Sequence, residues 1–176
     1  VAARKDKNKV DWNHAKKEMR KWLKSNIYWT TREWVYKDIK PRIICEKYLI
    51  DEELEDLRDY KIFCFNGEPK IIQVHMDRFG EHKKQHYDTE WNLLNLKTNY
   101  NTDVESSIKP PEQLVEMLRL SEKLSEDFPH VRVDLYIVNN KIIFGELTFF
   151  PGSGFIIFEN EEDDKMMGDW LTLPKK

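Results

Sequence analysis

The stretch VRVDLYIVNNKIIFGELTFF, Val131–Phe150, decides the fold. Two apolar, β-prone runs flank Asn139-Asn140, and consecutive asparagines supply the positive φ angles of a tight hairpin turn. Side chains repeat every second residue along a strand, so Arg132 and Asp134 share one face of the first run, and Glu146 and Thr148 one face of the second. Counting back from the turn brings Asp134 to the level of Phe144 to Glu146. The register thus predicts two carboxylates, an arginine and a hydroxyl converging on one patch. Oxygen donors so placed suit Mg2+, which takes one or two carboxylates together with substrate phosphates, and Arg132 offers those phosphates a fork of donors. The alternative is a solvent-facing strand pair whose charges simply pair with one another. Spacing alone leaves both open.

Upstream, Tyr60–Phe65 and Lys70–Met76 form a second pair of β-prone runs around Asn66-Gly67-Glu68-Pro69, again a hairpin. Between the hairpins, residues 77–109 are polar, with Trp91, Leu93 and Leu94 as apolar anchors. This reads as a long loop, of the kind that is usually functional. It offers Arg78, Lys83 and Lys84 beside His75, His82 and His86 for an anionic acceptor. Pro110-Pro111 opens a helix running to about Phe128, with a stripe of Leu114, Met117, Leu118 and Leu124. Towards the N-terminus, Asp11 is the expected cap of a helix over Trp12–Lys24 with one packed face, and Pro41 opens an expected strand over 42–49. Glu161–Leu171 reads as a closing helix after the breaker Pro151-Gly152-Ser153-Gly154. The order of elements indicates an antiparallel α+β domain, not a doubly wound parallel one.

Hydrophobic residues make up 40% of the 176-residue chain and aromatics 12%, enough for a packed core despite 35% charged residues. A net charge of -3 gives no global reason to bind nucleic acid or an acidic membrane surface. No apolar run approaches the roughly 20 residues of a membrane span. Cys45 and Cys64 both sit in apolar runs without Cys or His at metal-ligand spacing, which indicates buried free thiols in a reducing cytoplasm.

Arg132-Val133-Asp134, then Glu146-Leu147-Thr148 and Pro151-Gly152-Ser153-Gly154 resemble the ATP-grasp signature, in which Arg-x-Asp precedes Glu-x-Asn and a Pro-Gly turn. Glu46-Lys47-Tyr48-Leu49 resembles the hinge that contacts adenine in that family. A closer likeness is to the teichuronopeptide-biosynthesis (TupA-like) ATP-grasp group. It is carried by Lys40–Ile44, Asp59–Gly67, Phe128–Tyr136, Gly145–Gly154 and Gly168-Asp169-Trp170-Leu171, and runs through essentially the whole chain.

The resemblance implies an ATP-grasp-like antiparallel sheet flanked by helices, the C-terminal portion of that fold. Residues 1–40 would be the remnant of the lid lobe and connection, and 41–176 the nucleotide- and metal-binding core. It implies a carboxylate-amine ligase using ATP and Mg2+ through an acylphosphate, acting in bacterial surface polysaccharide biosynthesis. The partners would be a carboxylate acceptor, sugar acid or amino acid, and an amine donor. Arg132 would contact the terminal phosphate, Asp134 and Glu146 would ligate Mg2+, and Thr148 stands where the broader family has Asn. Glu46, Lys47 and Leu49 would take adenine, and Asp59 the ribose hydroxyls, with Lys61 in the same nucleotide-binding set. A chain that begins with Val and has only six glycines is expected to lack the Gly-rich loop and lysine that cover the phosphates, and to be inactive alone. A glycosyltransferase or a non-catalytic carbohydrate-binding module is the alternative reading.

Overall fold

The computed structural model describes residues 8, 10–50, 57–76, 83–98 and 107–175. It divides into two compact units, Val1–Leu49 and Ile50–Lys176. No helix among the described residues is long and apolar enough to cross a membrane.

In the first unit, Asp11 caps α1 (Trp12–Trp22) as predicted: its Oδ1 accepts from the N–H groups of Asn13 and His14, each at 3.0 Å. The helix buries none of its residues, and Trp12 and Trp22 stay exposed, so its expected packed face is not a core face here. A short helix α2 (Tyr28–Thr31) and a 3-10 turn (Trp34–Tyr36) follow. Their rings gather around cations: Tyr28 meets Trp29 edge-on at 5.0 Å, and the Arg32 guanidinium lies 5.8 and 5.6 Å over the two rings. The strand predicted over 42–49 is absent, and residues 41–50 carry no regular structure. Ile43 and Ile44 point to alternate sides in any strand, yet both are exposed, as is Cys45, so the β-prone run has neither a buried face nor a pairing partner.

The second unit is built on a six-stranded antiparallel sheet in the order β4-β3-β2-β1-β5-β6. Its strands are β1 (Asp59–Phe65), β2 (Glu68–Met76), β3 (Lys83–Tyr87), β4 (Leu93–Leu94), β5 (His130–Val138) and β6 (Lys141–Thr148). This is the α+β architecture expected from the sequence. Both tight turns have the predicted chemistry, with positive φ at Asn66, Gly67, Asn139 and Asn140. β3 and β4 correct the expectation of a long structureless loop: the polar segment contributes two strands to the sheet edge. Gln85 and Tyr87 of β3 are fully buried, the Tyr87 hydroxyl donating to Gln85 Oε1 at 2.6 Å, so a polar side chain is satisfied inside the core.

β1 lies between β2 and β5 and is buried along its whole length, because both faces of the sheet are covered there. One face carries Tyr60, Ile62, Cys64, Ile72, Val74, Val131, Val133 and Leu135, packed beneath α3 (Leu114–Ser125). Met117, Ser121 and Ser125 are the buried residues of that helix, at i, i+4 and i+8. The predicted Leu124 is exposed; the small serines allow close approach of helix to sheet instead. On the opposite face, α4 (Glu161–Trp170) sets Met166, Met167 and Trp170 against Phe63, Phe65, Ile71 and Leu96. Beside that apolar patch the same face turns polar.

Candidate functional site

The polar region centres on the β5–β6 hairpin, and its register depends on one residue. From the turn, Val138 pairs with Lys141, Ile137 with Ile142, Tyr136 with Ile143 and Leu135 with Phe144. Continued without interruption, that register would put Gly145 opposite Asp134 and Glu146 opposite Val133, on the wrong face of the sheet. A β-bulge intervenes between Asp134 and Leu135, so that Asp134 pairs with Glu146 and Arg132 with Thr148. The convergence read from the sequence is present, but the bulge produces it and not the turn alone. Gly145 is the extra residue. A Cβ there would lie 2.9 Å from Tyr136 Cε2 and 3.0 Å from the Asp134 carbonyl oxygen, closer than side chains normally approach.

β1 pairs with β5 through Lys61↔Asp134 and Asp59↔Tyr136, which brings Asp59 and Lys61 onto the same face. Asp134, 1% exposed, accepts from Arg132 Nε at 2.6 Å through Oδ1, and from Arg132 Nη2 at 2.7 Å and Lys61 Nζ at 2.5 Å through Oδ2. Lys61 also bridges to Asp59 Oδ2 at 2.8 Å. Arg132 Nη2 donates to Thr148 Oγ1 at 2.9 Å and lies 3.6 Å from Glu146 Oε1, while the Thr148 hydroxyl donates to that same Glu146 oxygen at 3.1 Å. A single cationic nitrogen is therefore surrounded by oxygens of Asp134, Thr148 and Glu146. Bidentate pairing and an added lysine offset the desolvation of Asp134, which an unpaired buried carboxylate would not survive as an anion.

This donor set tests the expected metal. Two carboxylates and a hydroxyl facing one positive charge are hard-oxygen ligands, suited to a divalent cation such as Mg2+ that draws its remaining ligands from water and phosphate. Among the described residues no cluster of three or more His, Cys, Asp or Glu could hold a metal by protein ligands alone. The residues fit an oxygen-coordinated cation shared with a substrate, and not a closed zinc-type site.

Of the remaining residues singled out from sequence, Asp59 and Lys61 belong to the hairpin network. Glu46, Lys47 and Leu49 lie in the first unit, Glu46 and Lys47 exposed and Leu49 half-buried. Arg78 and His82 lie outside the described residues.

Of the residues offered for an anionic acceptor, His75, Lys84 and His86 fall with Gln73, which the sequence did not single out, in a second cluster on the same sheet face. His75 Nε2 contacts Gln73 Oε1 at 2.8 Å and Gln73 Nε2 contacts His86 Nε2 at 2.7 Å, forming a line of side chains across β2 and β3. His86 is 4% exposed; burial, and then the nearby Lys84 charge, push its pKa down to about 4. The Lys84 ammonium is depressed by burial, then by the charges of Lys61 and Arg132, which places it in the same electropositive field. The signal available in sequence was the alternation of Lys84 and His86 against Gln85 and Tyr87. This cluster floors a cavity of about 270 Å³ that Arg132 also lines, walled by Phe63, Leu96, Phe158 and Met167.

A family model for TupA-like ATPgrasp matches residues 1–172. No curated protein and no solved structure matches the chain.

Proposed function

The chain belongs to the TupA-like ATP-grasp family, whose general chemistry is ATP-dependent ligation, and from that premise we propose that the β5–β6 hairpin is its phosphate- and metal-facing surface. The observation that carries this reading is the encirclement of Arg132 Nη2 by oxygens of Asp134, Thr148 and Glu146. Those oxygens would also suit a divalent cation, and the Arg132 guanidinium would pair with an anion beside it. Asp134 and Glu146 would hold the cation, with the Thr148 hydroxyl as a weaker donor than the Asn of the broader family. Arg132 and Lys61 meet the phosphate oxygens as hydrogen-bonding cations. When bound, Mg2+ would supply neutralisation of phosphate charge.

The sequence likeness further supports Glu46, Lys47 and Leu49 as contacts to adenine and Asp59 as a contact to ribose. We place residues 1–40 in the lid lobe and connection, and 41–176 in the nucleotide-binding core. The reaction proposed is ligation of a carboxylate to an amine. A carboxylate oxygen forms a bond to the γ-phosphorus of ATP as the bond to the β–γ bridging oxygen breaks, giving an acylphosphate and ADP. The amine nitrogen then attacks the carbonyl carbon, phosphate leaves, and the nitrogen loses a proton. Phosphoryl transfer asks mainly for alignment and charge neutralisation, which is what paired cations on a rigid sheet provide. The setting proposed is assembly of a bacterial surface polysaccharide.

Calorimetric titration of the chain with ATP and with a UDP-sugar, each with and without Mg2+, tests this. ATP binding that strengthens with Mg2+, and loses that response in Glu146→Gln, is the expected result. Preference for the UDP-sugar would favour a glycosyltransferase, and binding of neither nucleotide a carbohydrate-binding module.

A further inference from the structure

The net charge of the whole chain conceals a division between its two units. Residues 1–49 hold fourteen Lys and Arg against six Asp and Glu, and residues 50–176 hold fifteen against twenty-six. Much of the positive charge is carried on α1. Within that helix Glu18 is the one acid against Lys16, Lys17, Arg20 and Lys21, and Lys24 follows in the next turn. The helices of the second unit instead offset their cations locally, Arg119 with Glu116, Lys123 with Glu126 and Lys165 with Asp169. At 3.6 residues per turn, Trp12, Ala15, Met19, Trp22 and Leu23 fall on an arc about 100° wide, with Lys16 and Arg20 along one edge and Lys17, Lys21 and Lys24 on the far side. Ala15 and Met19 are half-buried, whereas Trp22, Leu23 and all five cations are exposed, and Trp12 is 53% exposed. The segment after α1 adds exposed Ile27, Trp29, Trp34 and Ile39 around the exposed Arg32.

We propose that the first unit is a docking surface for an anionic phospholipid bilayer, with α1 lying in the plane of the headgroups and not crossing it. A basic amphipathic helix with tryptophans on its apolar face matches the boundary between headgroups and acyl chains, which is apolar on one side and negatively charged on the other. Trp12 and Trp22, about 15 Å apart along the helix axis, enter that boundary at the two ends of the helix, each indole keeping its N–H at headgroup level. Lys16 and Arg20, at the edge of the apolar arc, lay their stems along it and reach lipid phosphates with their charged ends. Lys17, Lys21 and Lys24 face away, yet a helix is about as thick as the Debye length of roughly 8–10 Å at physiological salt, so they too are attracted. A soluble polyanion such as a nucleic acid would use the same cations, but it would leave Leu23, Ile27 and Ile39 exposed to water, and these are the residues that favour lipid. The acidic second unit is repelled by the same surface, so adsorption is through the first unit alone. This docking is independent of the nucleotide site.

The test is co-sedimentation of the chain with vesicles of phosphatidylglycerol and phosphatidylcholine in equal parts, and with vesicles of phosphatidylcholine alone, repeated on Trp12→Ser and on a variant carrying both Lys17→Gln and Lys21→Gln. The chain is expected to partition onto the mixed vesicles, to do so about tenfold or more less on phosphatidylcholine alone, and to be released as salt is raised to about 0.5 M. Loss of the two lysines is expected to weaken partition about 10- to 30-fold, and loss of the Trp12 indole about tenfold. Because α1 buries none of its residues, neither variant should move the urea midpoint; should Trp12→Ser fail to fold by circular dichroism, Trp22→Ser and the lysine variant decide. No partition onto the mixed vesicles, equal partition onto phosphatidylcholine alone, or partition unaltered by the lysine variant or by loss of the indole overturns the proposal. Binding of a DNA duplex without vesicle partition would overturn it in favour of a nucleic-acid surface, and self-association in sedimentation velocity that Trp12→Ser abolishes, without vesicle partition, in favour of a contact between copies of the chain.

Discussion

Substitutions at Asp134 and at Glu146 are expected to act on different properties, because the two carboxylates share a cation but not an environment. Asp134 is buried and accepts from both Arg132 and Lys61, so Asp134→Asn leaves two cations facing a neutral amide. Breaking one side of a buried ion pair costs about 3–5 kcal/mol. Glu146 has a side chain 66% exposed, and Glu146→Gln should change stability by no more than about 0.5 kcal/mol while removing the Mg2+ response of nucleotide binding. Urea denaturation alongside calorimetry separates the two; a destabilised Glu146→Gln or a fully stable Asp134→Asn would show that the charge network is not as described. His86 sets a second expectation at this scale. Its pKa falls from an ordinary 6.5 to about 4 in the folded chain, so between these pH values the unfolded chain takes up a proton that the folded chain does not. Stability is therefore complete above about pH 6.5 and is lost as pH falls, by up to about 1.4 kcal/mol per pH unit. His130 is shifted down as well, chiefly by burial, and adds loss of the same sign. The urea midpoint should drop between pH 7 and pH 5, and drop less in His86→Gln; an equal drop would mean that His86 titrates normally.

At the scale of elements, what could be read in the sequence was what local chemistry dictates. Asn139-Asn140 and Asn66-Gly67 announced their hairpins because positive φ is costly for most other residues. Asp11 announced α1 because its side chain satisfies the first N–H groups of the helix. The strand read over 42–49 failed because β propensity describes a residue on a half-buried sheet and does not supply the sheet. β3 was hidden for the opposite reason: its inward residues include Gln85, polar in sequence and hydrogen-bonded to Tyr87 in space. The bulge in β6 leaves no mark in composition beyond Gly145, yet it decides which face carries Glu146 and Thr148. Gly145→Ala tests this directly. The added methyl meets Tyr136 Cε2, which can move, and the Asp134 carbonyl oxygen, which is backbone and cannot move without shifting Asp134. The expected cost is about 1–3 kcal/mol, as for overpacking in a tight site, accompanied by loss of the Mg2+ response. Retention of the full response would mean that the bulge tolerates a side chain and does not set the geometry.

Across the second unit, the residues proposed to bind ligand share one sheet face with the apolar patch beneath α4, while the opposite face is packed beneath α3. The face beneath α3 is apolar and buried, while the face carrying Arg132, Asp134 and Lys61 concentrates charges that burial penalises. The family assignment was legible because its motifs are short strings carried on the hairpins, whereas the cavity was not, since its lining comes from segments far apart in sequence. The two-faced arrangement predicts how substitutions combine. Met117, 1% exposed, packs into the apolar core from α3, and Met117→Ala should cost about 2–5 kcal/mol. It touches neither the hairpin oxygens nor the cavity, so the folded fraction should bind Mg-ATP with unchanged affinity. Glu146→Gln should do the converse, and the double variant should show both losses, additive to within about 0.5 kcal/mol, because the sites lie on different faces and share no partner. Stability read from urea denaturation and affinity read by calorimetry below the unfolding transition give the four corners of that cycle. A coupling well above that limit would mean that the sheet transmits packing changes from the α3 face to the hairpin, and that fold stability and nucleotide binding in this chain are one property rather than two.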